Sequence, residues 1–261
     1  VCHGFTTYPR FNTGKFSLVI ENDSVDIECV VPRKETYNDG PRKPDTVTQT
    51  GISEDAYRRD FCCNALYKNI VSEEILDPTG YGLSDCSSRI LRTPLKPKET
   101  FIDDPLRMLR AIRFSCCKNF TITEEVLKEI TDYPEYYELS MERVRDEFTK
   151  ILMSNNPVSG IRLLLNTGLL RYIIPDLANN FNYDQRSKYH HLTLGEHSLT
   201  VLDVVSKHFS YRTDLALRLA ALLHDISKPT CYSIKEDGNR SYHGHEISSG
   251  DLAKTILETL R

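Results

Sequence analysis

The chain has 261 residues, of which 39% are hydrophobic and 27% charged, with a net charge of −4. This composition fits a globular protein of one large or two to three small domains, and it excludes a global basic field. Any nucleic-acid contact must therefore come from a local basic patch.

No apolar run is long enough to cross a bilayer and no signal-peptide pattern is present, so no membrane partner is expected. Cysteines stand at 2, 29, 62, 63, 86, 116, 117 and 231 without a CxxC. That spacing argues against a zinc ribbon and for the reduced thiols of a cytoplasmic protein.

Near the start, Phe16, Leu18 and Ile20 alternate with Ser17 and Val19. The turn residues Asn22-Asp23-Ser24 follow, and Val25 to Val31 resumes the apolar pattern. The spacing predicts a β-hairpin. Asp26 and Glu28 then share one strand face, either to hold Mg²⁺ or simply to face solvent. Residues 33–52 are polar, with Gly40, Pro41, Pro44 and Gly51, and are expected to form a loop of about 20 residues.

The run from Glu54 to Asn69, EDAYRRDFCCNALYKN, is richer in chemistry. Arg58 and Arg59 offer planar forks that suit phosphate oxygens. Asp60 can accept from a ribose hydroxyl or cap a helix behind it. Phe61, Ala65 and Leu66 lie at helical spacing, so a short apolar helix is expected after the arginines. The plainer alternative is a solvated charge cluster. A short strand at Glu74–Leu76 should end in the turn Asp77-Pro78-Thr79-Gly80.

Residues 93–100 read as a Pro/Lys linker. IDDPLRMLRAIRF then predicts a helix capped by Asp103 or Asp104, with Pro105 in its first turn. Arg107, Arg110 and Arg113 recur every three residues as a basic stripe, which is either a solvated face or a binding one. Further helices are expected over 121–131 and 140–153, the second with Ser140 as N-cap. Its charges, Arg143 and Glu147 among them, could form surface pairs. Pro157 should open another helix and Gly168 end it.

The last segment places His197 at the start of an amphipathic helix. His224-Asp225 ends a second one, and His243-Gly244-His245-Glu246 follows. Imidazole and carboxylate donors suit a divalent metal with open positions.

In this order the stretches resemble class II tRNA nucleotidyltransferases and bacterial poly(A) polymerases. Arg58-Arg59-Asp60-Phe61, with Asn64-Ala65, matches the family's RRDFTINA motif, and Cys62-Cys63 replace its usual Thr-Ile. Asp77-Pro78 with Gly80 matches a DPxxG turn, Gly82 and Asp85 fitting loosely. The helix from Asp104 resembles motif D, with Asp103 in place of the usual Glu. ERVRDEFTKIL resembles motif E, which braces motif D. Residues 190–261 resemble an HD phosphohydrolase domain.

The resemblance implies an α+β protein. It would have a partial nucleotidyltransferase palm sheet and head over 1–92, a helical neck and body over 93–185, and a partial helical HD domain over 186–261. It implies addition of C and A from CTP and ATP to the 3′ end of tRNA, with poly(A) addition or HD-type phosphohydrolysis as alternatives.

By the same resemblance Glu28, five residues before Arg33, is the catalytic Mg²⁺ carboxylate. Arg58, Arg59, Asp60, Asn64, Arg110, Arg113 and Arg143 belong to the nucleotide site, and Asp104 with Arg107 reads the incoming base. His197, His224, Asp225 and, more loosely, His245 would hold a second divalent metal. The family's glycine-rich segment and DxD pair are expected before Val1, so the chain is expected to be a fragment that does not transfer nucleotides by itself.

Overall fold

The computed structural model describes residues 2–8, 13–20, 23–36, 46–132, 139–186, 191–208 and 214–260. The chain divides into two compact units, residues 1–88 with 92–104, and residues 89–91 with 105–261. As expected, the fold mixes helix and sheet.

The first unit opens with β1 (Cys2–Tyr8), β2 (Thr13–Ile20) and β3 (Asp23–Val30), an antiparallel sheet in that order. The expected hairpin is the β2–β3 pair, with Lys15 opposite Glu28 and Phe16 opposite Ile27; Asn22 lies outside the described residues. Only Ile27 on β3 is even half-buried.

The polar stretch 33–52 is not all loop. β4 (Arg33–Thr36) pairs antiparallel with β5 (Thr46–Gln49), and α1 (Ile52–Tyr57) follows at once. Threonines at 36, 46 and 48 and Val47 suit a strand as well as a loop, which is why polarity alone misleads here. Gly40, Pro41 and Pro44 lie outside the described residues.

The helix expected after Arg58-Arg59 lies before them instead. Behind the arginines there is only a 3₁₀ turn, Cys62–Asn64. The spacing of Phe61 and Ala65 still buries both side chains completely. β6 (Tyr67–Lys68) and β7 (Ile75–Leu76) form a small antiparallel pair, and α2 (Gly82–Ser88) follows the 77–80 turn.

That turn is wired through Asp77. Its Oδ1 accepts from Thr79 Oγ1 at 2.9 Å and from the amides of Gly80 and Gly82 at 3.1 Å, and its Oδ2 accepts from the Leu83 amide at 3.0 Å. Burial pushes this carboxyl up, but the Leu83 amide, the Thr79 hydroxyl and the two glycine amides outweigh it and hold the pKa low.

Gly82 is required by space. A Cβ there would sit 2.7 Å from the Cys62 carbonyl oxygen and from Leu66 Cδ2. Gly82→Ala is therefore expected to destabilise the first unit by about 2 kcal/mol. A thermal unfolding midpoint equal to that of the wild type would contradict this.

The expected linker 93–100 is also half helical, since α3 (Pro97–Asp103) starts on Pro97. Asp103 thus ends α3, and Asp104 is extended at φ −150°, ψ 99°. Pro105 at φ −59°, ψ −22° is already helical, so the extended Asp104 before it has the backbone conformation of a capping residue, and the proline stands in the first turn as expected.

The second unit begins with β8 (Ile90–Leu91), which pairs in parallel with β9 (Thr121–Ile122). Between them in sequence runs α4 (Leu106–Lys118), ended by Asn119 in the left-handed conformation at φ 56°. α5 (Glu124–Asp132), α6 (Met141–Leu152), α7 (Pro157–Asn166), α8 (Leu169–Ile173) and α9 (Pro175–Asn180) follow. Ser140 stands at the N-cap of α6, but its hydroxyl makes no capping bond. Pro157 and Gly168, the latter at φ 80°, bound α7 as expected.

The core packs Leu109, Ile112, Phe148, Ile151, Ile161 and Leu164, all essentially inaccessible to solvent. α10 (Leu194–His208), α11 (Leu215–Leu223), the pair β10 (Ser233–Ile234) and β11 (Arg240–Ser241), and α12 (His245–Thr259) complete the unit. Asp214 caps α11 through a 2.9 Å bond from the Leu217 amide.

Residues on both sides of the expected boundary near 185 belong to one compact unit, and polar contacts cross it. Buried Arg218 donates to the carbonyls of Leu152 and Ser154 at 2.7 and 2.8 Å, closing the C-terminal end of α6. Asn180 Nδ2 donates to the Ile226 carbonyl at 3.2 Å. Arg162 of α7 grips Glu196 of α10 with two bonds of 2.8 and 2.6 Å.

Candidate functional site

In the first unit the two arginines meet on one carboxylate. Asp55, on α1, is 2% exposed. Its Oδ1 accepts from Arg58 Nε at 2.8 Å and Nη2 at 2.7 Å. Its Oδ2 accepts from Arg59 Nε at 3.1 Å, Arg59 Nη2 at 3.0 Å and the Tyr67 hydroxyl at 2.6 Å. Arg59 also reaches the Asn64 carbonyl through Nη1 at 3.4 Å.

Burial pushes the Asp55 carboxyl up, but the Tyr67 hydroxyl and the Arg58 and Arg59 guanidinia outweigh it and hold it below the usual range. The folded pKa thus lies below the unfolded value of about 3.9. The stability it contributes is present above about pH 4 and is lost as pH falls through the folded pKa. Urea midpoints at neutral pH and near pH 3 should therefore diverge less in Asp55→Asn than in the wild type.

Asp60 turns inward. Its Oδ1 accepts from the Phe61 amide at 2.9 Å and from Asn64 Nδ2 at 3.1 Å, so two predicted site residues are tied together across the 3₁₀ turn. Burial pushes the thiol of Cys62 up, and that of Cys63 to about 12, with Asp60 adding to the second. Both stay protonated and unreactive at neutral pH.

Glu28 and Asp26 lie on the exposed face of β3, as their spacing implies. Asp26 is engaged by Lys15 Nζ at 2.8 Å and by Ser17 Oγ at 2.6 Å, and the Lys15 bond is the main reason its pKa is lowered. Among the described residues, Glu28 joins no group of three His, Cys, Asp or Glu donors.

Of the motif D residues, Asp104 closes the first unit, and Arg107 lies in the first turn of α4. Further along α4, the Arg110 and Arg113 guanidinia lie 5.7 and 4.1 Å from the Phe114 ring centre. Arg113 pairs with buried Glu147 of α6, which also accepts from Lys150 at 3.2 Å. That pair ties α4 to α6. Arg143 lies on the exposed side of α6.

The histidines of the second unit converge as predicted. His197 Nε2 is 3.2 Å from His224 Nε2, and Asp225 Oδ2 lies 3.2 Å from His224 Nε2 and 3.5 Å from His197 Nε2. His245 Nε2 sits 3.1 Å from the other oxygen, Oδ1. Donors arranged tetrahedrally around a zinc-sized ion stand about 3.3 Å apart, so His197, His224 and Asp225 fit one divalent cation.

The rings are oriented for this. His224 Nδ1 faces the Ala221 carbonyl at 3.0 Å and His245 Nδ1 faces that of Tyr242 at 2.5 Å, which directs each Nε2 lone pair to the cluster. The Asp225 carboxylate raises the pKa of His224. Burial pushes Asp225 itself up, but His224 and Lys228 outweigh it strongly and hold its carboxyl far below the usual range.

Sequence reasoning overlooks several residues here. Asp55 precedes the arginines by three and four positions, a spacing that could have revealed it. Lys228 lies three after Asp225 and reaches its Oδ2 at 2.6 Å while donating to Gln185 Oε1 at 3.2 Å. Gln185 and Tyr242 carry no local signal; their long-range hydrogen bond, Tyr242 hydroxyl to Gln185 carbonyl at 2.5 Å, brings them in.

Two family models match the chain. One, described as the poly A polymerase head domain, covers residues 6–92. The other, described as a probable RNA and SrmB-binding site of polymerase A, covers residues 119–181. The chain belongs to the class II tRNA nucleotidyltransferase and poly(A) polymerase family.

Among its relatives, a mitochondrial CCA tRNA nucleotidyltransferase of Candida glabrata is 44% identical over 151 residues, 56% of this chain and 28% of its own. An A-adding tRNA nucleotidyltransferase of Deinococcus radiodurans is 34% identical over 217 residues, 80% of this chain and 49% of its own. A multifunctional CCA protein of Azoarcus is 33% identical over 222 residues, 83% of this chain and 51% of its own. The chain thus spans at most about half the length of these relatives. A tRNA nucleotidyltransferase crystallised with a primer tRNA and an ATP analogue shares the fold, with a TM-score of 0.63 at 20% identity over 98% of this chain and 67% of that one.

Proposed function

We propose that this protein adds C and A nucleotides from CTP and ATP to the 3′ end of tRNA. The observation that carries the reading is the identity of 33–44% to relatives that are all named for tRNA nucleotide or CCA addition. The activity would be in-line attack of the tRNA 3′-hydroxyl on the α-phosphate, with pyrophosphate leaving.

Asp104 would accept from the amino group of the incoming base and Arg107 would donate to its ring acceptors, a protein imitation of a pairing edge. Arg58 and Arg59 would meet the phosphates, and Asp60 with Asn64 the ribose side. Arg110 and Arg143 would meet the RNA or nucleotide from the second unit, while Arg113, only 14% exposed and paired with Glu147, would act by holding α4. Bound Mg²⁺, with Glu28 as its ligand on this chain, supplies charge stabilisation of nucleophile and leaving group. Head, neck and last segment keep the roles proposed for residues 1–92, 93–185 and 186–261.

The convergence of His197, His224 and Asp225 favours a second activity, HD-type phosphoester hydrolysis. These three residues would hold a divalent ion that acts as a Lewis acid on the phosphate, with His245 beside them. Among the described residues no helix is long and apolar enough to cross a membrane. The proposed compartment is the cytoplasm, with the Candida relative pointing to mitochondria as the rival.

The test is an extension assay with the product of the whole reading frame, a tRNA lacking its 3′ CCA, and CTP, ATP or both. Growth by three nucleotides that needs both is the expected result. A long ladder from ATP alone would move the assignment to a poly(A) polymerase. No extension, with metal-dependent cleavage of 2′,3′-cyclic phosphates lost in His224→Ala, would leave the hydrolase.

A further inference from the structure

We propose that Asp55 is the positioning residue that sets Arg58 and Arg59 for the triphosphate of an incoming nucleotide; this rests on the nucleotide-binding reading above. A guanidinium presents its five N–H donors in a fixed plane. Asp55 takes the Nε and Nη2 donors of both arginines, so one carboxylate fixes the plane of each. The side chains of Arg58 and Arg59 remain 26% and 41% exposed, while that of Asp55 is 3% exposed. The buried anion therefore serves as a template under two partly exposed cations.

Tyr67 tightens the template, because its hydroxyl donates to Asp55 Oδ2 and accepts from Arg59 Nε at 3.2 Å. The Arg59 guanidinium carbon lies 5.2 Å from the Tyr67 ring centre, which limits its swing further. Asp55 itself is too deeply buried to meet the ligand and acts only through the arginines.

Calorimetric titration of the full chain with CTP and with CMP separates positioning from plain stability. CTP carries the β- and γ-phosphates that CMP lacks. Asp55→Asn is expected to weaken CTP about tenfold while changing CMP less than about twofold, because charge-assisted bonds to the distal phosphates lose their alignment. Tyr67→Phe keeps the carboxylate and is expected to shift the CTP-to-CMP ratio the same way, by about threefold. It decides the matter if Asp55→Asn fails to fold. An equal loss for both nucleotides, or an unchanged ratio in the variants that fold, overturns the proposal and leaves Asp55 a structural ion pair. Failure of the wild type to bind CTP at all removes the nucleotide-binding reading, and the proposal with it.

Discussion

Glu147→Ala is expected to lower the stability of the helical unit by about 3 kcal/mol. Glu147 and Arg113 side chains are 5% and 14% exposed, so removing the carboxylate strands a guanidinium with little access to water. Stacking on Phe114 at 4.1 Å softens the loss but supplies no acceptor. Glu147→Gln keeps an acceptor and should cost about 1 kcal/mol.

The companion change Arg113→Met in the Glu147→Ala background should recover most of the loss, because no buried charge is then left alone. Denaturant midpoints of the two single variants and the double variant make the cycle. If the losses simply add, the two groups do not share an interaction and the brace between α4 and α6 lies elsewhere. The consequence for chemistry follows from position: Arg107 and Arg110 ride on the same helix as Arg113. On the proposed reading, a loosened α4 should blur the choice between CTP and ATP before it abolishes binding.

Asp225→Ala should have an effect of similar size for a different reason. Lys228 is 6% exposed and has Asp225 as its anionic partner at 2.6 Å. Without the carboxylate the ammonium keeps, among the described residues, the Gln185 side-chain carbonyl oxygen at 3.2 Å and the Tyr242 ring at 5.4 Å. The expected loss is about 3 kcal/mol, a fall in Tm of about 6–12 °C for a unit of this size. Adding Lys228→Met should restore stability but not cation binding, since the donor group loses its carboxylate in either case. Thermal scans with Mn²⁺ or with a chelator read both effects. A wild-type Tm that responds to Mn²⁺ while the double variant's does not is the expected pattern. An equal Mn²⁺ response in both would remove Asp225 from the donor set.

The parts legible in the sequence are those where spacing and chemistry coincide. The β2–β3 hairpin follows from alternation between Phe16 and Val31, and α7 follows from Pro157 and Gly168. The histidine cluster is legible because His197 and His224-Asp225 sit at the edges of helices already marked by their apolar patterns, whereas the helix that His245 opens is not. Residues after Arg59 are not, because Phe61 and Ala65 fit the burial of a 3₁₀ turn as well as that of an α-helix. Of the two candidate caps for α4, Asp103 is absorbed into a helix that Pro97 starts early, and Asp104 is left extended before Pro105. The join across residue 185 rests on Arg218, Asn180 and Arg162, whose partners lie 34 to 66 positions away. No local pattern carries such information.

The sheet at the start of the chain has a consequence for handling the protein. Phe5, Tyr8, Val19, Val25 and Val30 are all exposed, and within the three-stranded order both β1 and β3 are outer strands. Among the described residues no strand pairs with the outer edge of either, and such an edge flanked by apolar side chains is a template for another copy's strand. Refolding yield should therefore drop as protein concentration rises, and light scattering should grow with the square of concentration or faster at early times. A charge placed at Val25, the third residue of β3, would act as a gatekeeper and widen the range in which the protein stays monodisperse.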